Sequence, residues 1–157
     1  EKIIIKTLLN ELKTLVAENK IRLTLVLKIH PKEDEKGIIR LMSHEQNLNF
    51  NVKIIKKCNV FDLMMASDLV CGMSSIFLIE SVILGIPVMS IQIGLKRENP
   101  FVLSQRRILK TVLREDQLNK GLENILILGG MKKYNFNVIK NAGDNIVGYV
   151  NKYLCRN

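Results

Sequence analysis

Between Asp68 and Gln92 the chain carries a single charged side chain, Glu80, and the punctuation of this apolar stretch constrains its fold. Leu69 to Cys71 is a short apolar run of the kind that forms a strand buried on both faces. Gly72 lets the backbone turn. Ser74 and Ser75 stand where a helix starts, and residues 76–84 continue that helix. Gly85 stands where a helix ends, and Pro87 forbids its continuation. Residues 88–91 then read as the next strand. A strand, a small-residue turn and a helix N-terminus together make an anion site, because free N–H groups and the helix dipole point at whatever binds there. The hydroxyls of Ser74 and Ser75 add donors. The expected ligand is of nucleotide type.

Glu80 sharpens that expectation. A helix this apolar is buried over most of its surface. Its one carboxylate must then reach water, a partner or a ligand, since an unpaired buried charge is costly. Glu80 lies roughly 7–8 Å beyond the serines along the helix axis, about the reach from a phosphate to a pair of ribose hydroxyls. The plainer alternative is a Glu facing solvent at the rim of the helix.

The rest of the chain alternates in the same way. Ile4, Leu8, Leu12 and Leu15 repeat at helical spacing, predicting a helix over 2–19. Residues 23–29 read as a strand ending in His30-Pro31. A short helix follows over 36–45, then a second strand over 50–55. Asn59 is a good N-cap for a helix through Met65. After the strand at 88–91 comes a loop over 91–105, a short strand over 108–113, a helix over 115–128 broken by Gly129-Gly130, and a closing helix over 137–154. Strands alternating with helices predict an α/β fold, a Rossmann-like, doubly wound parallel sheet flanked by helices. In such sheets ligands bind outside the carboxyl ends of the strands, where His30-Pro31 and Gly72-Met73-Ser74-Ser75 both fall. No strand precedes the opening helix, which suggests one half of a larger protein.

At 157 residues, 47% of them hydrophobic, the chain suits one domain with a true core. Aromatic residues make up only 5% and Trp is absent, so stacking platforms for single-stranded nucleic acid are scarce. The net charge of +9 favours anionic partners, but its residues, Lys56, Lys96, Arg97 and Arg106 among them, are scattered rather than clustered. That argues against a specific nucleic-acid footprint and allows peripheral contact with an anionic membrane surface. Cys58, Cys71 and Cys155 are odd in number and lack C-x-x-C spacing, which points to a reducing, cytoplasmic setting and away from zinc. No metal site is expected from two histidines, His44 being read as a surface residue. There is neither a phosphate loop ending in Gly-Lys-Ser/Thr nor a G-x-S-x-G nucleophile turn.

Leu25 to Pro31, Asp68 to Ser75 and the run Glu80-x4-Gly85-x-Pro87 together resemble the C-terminal Rossmann-like domain of GT-B glycosyltransferases. The similarity is to bacterial cell-envelope members, among them UDP-GlcNAc 2-epimerases, the transferase that makes peptidoglycan lipid II, CDP-glycerol polymerases and sialyltransferases with His-Pro and Ser-Ser motifs. It covers about His30 to the helix at Glu115. The resemblance implies that Gly72, Met73, Ser74 and Ser75 hold the donor phosphates, that Glu80 accepts from the ribose, and that His30 is catalytic, stabilising the departing nucleotide. Pro31, Gln92, Lys96 and Arg97 would line the cleft toward the sugar. It further implies a nucleotide-sugar as substrate with no tightly bound cofactor, and a carbohydrate acceptor presented by an N-terminal domain. The place of work would be the cytoplasm or the inner face of the membrane, and the isolated domain would be inactive. The pattern also departs from these relatives. Ser75 replaces the first Gly of the epimerase Ser-Gly-Gly turn and Ser81 follows Glu80 where the epimerases pair glutamates. Gly72-Met73 replaces Asp-Tyr in the polymerase turn. The competing readings are an epimerase-like domain and a non-catalytic Rossmann-like interaction module. Convergence of Ser74, Ser75, His30 and Glu80 on one cleft would favour an enzyme, and their pointing apart would favour the interaction module.

Overall fold

Helix α1 (Lys2–Asn19) buries Leu8, Leu12 and Leu15 on the face that the spacing predicts, together with Leu9 and Val16. It stops at Lys20, whose φ of 53° is the left-handed conformation that ends a helix. The computed structural model describes residues 2–30, 35–45, 47–109 and 111–130 and the single positions Asn141, Asp144 and Val147. Pro31, Cys155 and, apart from those three positions, the closing helix expected over 137–154 lie outside the described residues.

After α1 the order is β1 (Thr24–Lys28), α2 (Glu35–Ser43), β2 (Asn51–Ile55), α3 (Val60–Met65), β3 (Val70–Gly72), α4 (Ile76–Ile83), β4 (Val88–Ile91), α5 (Val102–Gln105), β5 (Thr111–Val112) and α6 (Glu115–Leu126). The strands form two parallel sheets, β1-β2 and β3-β4-β5. In the first, Thr24 stands opposite Asn51 and Lys28 opposite Ile55. In the second, Val70 faces Val88 and Ile91 faces Val112. Each parallel pair is joined through a helix, as parallel pairing requires. The α/β class with flanked parallel strands is therefore present.

Strand β4 is buried at all four positions because its two faces serve two different cores. Val88 packs into one core with Met64 of α3, Leu78 and Val82 of α4 and Leu103 of α5. Met89 and Ile91 pack into the other with Leu8 and Leu12 of α1 and Leu118 and Leu122 of α6. Helices thus cover both sides of β4, which is why burial along it does not alternate. Helix α6 comes close through Gly121, where an added Cβ would lie 2.8 Å from Met89 Cε.

The expected loop over 91–105 contains one turn of helix, α5. Its driver is burial: Phe101 and Leu103 are each 2% exposed in the α3–α4 core. The strand expected over 108–113 shortens to Thr111–Val112.

Candidate functional site

Ser90 and Gln92 alternate with Ile91 at the carboxyl end of β4, and both are buried, at 0% and 2% exposure. Buried polar groups in such a place need partners. Ser90 Oγ donates to the Met73 carbonyl at 2.6 Å and accepts from Thr111 Oγ1 at 3.3 Å. Gln92 Nε2 lies 3.2 Å from the same carbonyl and 3.0 Å from Asn99 Oδ1. Asn99 Nδ2 donates to Thr111 Oγ1 at 2.7 Å, and Thr111 also shares a hydrogen bond with Ser104. The result is a polar bridge across the ends of β3, β4 and β5 that ties down the turn after β3. Among the described residues no buried side-chain nitrogen or oxygen is left without a partner.

That turn begins α4. Gly72 packs closely, since a Cβ there would stand 3.3 Å from Leu78 Cδ2 and the Leu78 side chain would have to give way. Ser75 is the N-cap, with extended φ and ψ of −94° and 149°, and its Oγ accepts from the Phe77 amide at 3.2 Å. One of the orphan amides of the first helical turn is thereby satisfied by the protein itself. At the far end Gly85 takes a φ of 76°, open to glycine and strained for other residues.

An open cleft of about 370 Å³ lies beside this turn. Ile3 and Ile4 of α1 form one part of its lining. Met73, Gln92, Lys96 and Arg97 form another, joined by residues 93–95. The loop is shaped by a turn in which the Leu95 amide bonds to the Gln92 carbonyl at 3.1 Å. Gly94, at its third position, has the φ of 79° that a type II turn asks for there. Lys96 and Arg97 are exposed, and neither is ion-paired among the described residues. A cleft of similar size, about 390 Å³, lies between residues 21–24 and 48–51. It sits at the amino ends of β1 and β2, the end of a parallel sheet that ligands generally avoid.

Four of the residues singled out from the sequence, Met73, Gln92, Lys96 and Arg97, therefore share one cleft, and Gly72 lies next to Met73 at the end of β3. Ser74, Ser75, Glu80 and His30 are exposed and do not line it. The sequence reading missed the polar bridge of Ser90, Asn99, Ser104 and Thr111. Its one legible signal was a Ser and a Gln at alternate positions in an apolar strand. It also missed Ile3 and Ile4, which only the return of α1 brings to the cleft.

Two titratable groups are perturbed. Burial pushes the Cys71 thiol up from 9.0 to about 12, so it stays protonated and is no nucleophile. The Arg114 guanidinium, hydrogen-bonded to Asp116 at 3.0 Å, holds that carboxyl below its ordinary value at the start of α6. Among the described residues no group of three His, Cys, Asp or Glu is placed to hold a metal ion, and no helix is long and apolar enough to cross a membrane. No protein-family model, curated protein or solved structure matches the chain.

Proposed function

We propose that the chain is the donor-binding domain of a GT-B-type glycosyltransferase, binding a nucleotide-sugar for cell-envelope or capsular polysaccharide synthesis. In this reading its strands belong to one Rossmann-like, doubly wound sheet. The observation that carries the proposal is the cleft at the carboxyl ends of β3 and β4, where a turn held by a buried polar bridge stands beside two cations that make no ion pair among the described residues. Carboxyl ends of parallel strands are where such sheets bind ligands.

Lys96 and Arg97 neutralise the donor diphosphate, and the α4 amides that Ser75 leaves free add to the attraction. As the sugar departs, negative charge grows on the phosphate. Groups fixed beforehand stabilise it more in the transition state than in the ground state. The resemblance assigns His30, which follows β1, to the departing nucleotide and Glu80 to the ribose; neither lines this cleft, so the cleft itself supports only the phosphate contacts. The acceptor and its general base come from a second domain, so this domain binds without turning over.

The test is thermal stability with UDP, CMP, CDP, GDP and their sugar conjugates, on the wild type, on the Lys96→Ala/Arg97→Ala pair and on Glu80→Ala. One nucleotide should raise the melting temperature, and the paired substitution should abolish the rise. No shift with any nucleotide at millimolar concentration would overturn the reading.

An interaction module is the second reading, favoured by the failure of Ser74, Ser75, Glu80 and His30 to share the cleft. Ile76 and Ile83 on α4, at 67% and 48% exposure, flank Glu80, and Phe61 and Met65 on α3 are also exposed, at 54% and 58%. Apolar residues grouped in this way suit a partner surface.

A further inference from the structure

The orientation of the Gln92 amide is set by a chain of bonds that begins in the backbone. The Phe101 amide donates to Asn99 Oδ1 at 2.9 Å. An oxygen must therefore occupy that position, and Asn99 Nδ2 must point to Thr111. Asn99 Oδ1 in turn takes a donor from Gln92, which fixes Nε2 on that side, within reach also of the Met73 carbonyl and Ser90 Oγ. Gln92 Oε1 is left as the atom of the bridge with no hydrogen bond among the described residues, on a residue that is 2% exposed and lines the cleft. It is not enclosed either, since no unsatisfied buried side-chain atom exists among the described residues.

We infer that Gln92 Oε1 is a preset acceptor for a hydroxyl of a sugar phosphate whose phosphate lies on Lys96 and Arg97. This rests on the reading of the cleft as the ligand site and adds how the cleft tells one anion from another. A carbonyl oxygen repels a phosphate and attracts an O–H or N–H, so the anion and the donor group of the ligand are sorted to opposite ends. Ile3 and Ile4 offer an apolar surface to the C–H face of a sugar ring. A phosphate ester without a donor meets the cations but leaves Oε1 unpaired, and discrimination of this kind follows from unpaired polar groups. Asn99 is the positioning residue, acting on the ligand only through Gln92.

The experiment is an NMR titration of the chain with hexose 1-phosphates and with methyl phosphate, which lacks a donor, following the Gln92 side-chain amide. At least one hexose 1-phosphate should bind about tenfold more tightly than methyl phosphate, the worth of one hydrogen bond. Gln92→Met should remove that ratio and leave methyl phosphate binding in place. Asn99→Asp keeps an acceptor for both Phe101 and Gln92 and should preserve the ratio. Equal binding of the two esters to the wild type, a ratio that survives in Gln92→Met, or no binding of either overturns the inference. If Gln92→Met does not fold, the wild-type ratio and the Gln92 amide shifts decide. The same titration with UDP, CMP, CDP and GDP separates the two claims. Nucleotide binding without a Gln92-dependent sugar preference sinks only this inference. A Gln92-dependent preference without nucleotide binding sinks only the nucleotide reading.

Discussion

Ser90 shows how one residue links core and site. Its hydroxyl is fully buried and bridges the Met73 carbonyl and Thr111. Ser90→Ala should cost about 1–2 kcal/mol in urea unfolding, because the Thr111 hydroxyl then loses an acceptor and the Met73 carbonyl a donor. Adding Thr111→Val should cost less than the sum of the two single changes. Cys71 gives a second test. Its thiol, pushed up to about 12 by burial, should resist alkylation near pH 8 while exposed Cys58 reacts, as peptide mapping would report. The linkage has a definite sign. The folded chain holds the Cys71 proton more tightly than the unfolded chain, so its contribution is complete below the ordinary value of 9.0 and is lost as pH rises toward 12. Above pH 9 the wild type should lose stability faster than Cys71→Ala.

At the scale of elements, the caps were written in the sequence because they are local. Asn59 accepts from the Phe61 and Asp62 amides at 3.0 and 3.4 Å, and Asn59→Ala should cost about 1 kcal/mol in thermal or urea unfolding. Ser75→Ala should cost a similar amount with no ligand present, since its hydroxyl already caps α4. Absence of that loss would mean that the hydroxyl is free for a ligand. Ser74 and Ser75 were legible as a helix start for the same local reason. Whether they face a ligand was not legible, because nothing within a few residues decides which amides a helix leaves open. The single turn of α5 was invisible for the opposite cause: the burial of Phe101 and Leu103, with no periodic pattern, holds it.

At the scale of the whole molecule, two sheets leave four strand edges without a neighbour among the described residues, on β1, β2, β3 and β5. The Ile29 amide bonds across to Ile55 and the Val70 amide to Pro87. Alternation along each strand then turns the Val26 and Cys71 amides to the open edges. With the two sheets separate, hydrogen exchange should find these two faster than Leu25 and Leu27 in β1 or Gly72 in β3; equal protection would mean that the edges are paired, as the single sheet of the proposed function requires. The order of helices and strands apart from α5, the first-turn chemistry of α3 and α4, the turn at Gly85-Ile86-Pro87 and the burial of β4 were all determined by the sequence alone, through periodicity, capping and steric rules that act over a few residues. Tertiary structure decided the rest. It carried Ile3 and Ile4 to the same cleft as Met73, gathered Asn99, Ser104 and Thr111 around Ser90 and Gln92, and set the side Gln92 presents to its hydrogen-bond partners. These pairings join residues far apart in the chain, and only the packing of α1 and α6 against one face of β4, and of α3, α4 and α5 against the other, brings them within hydrogen-bonding distance.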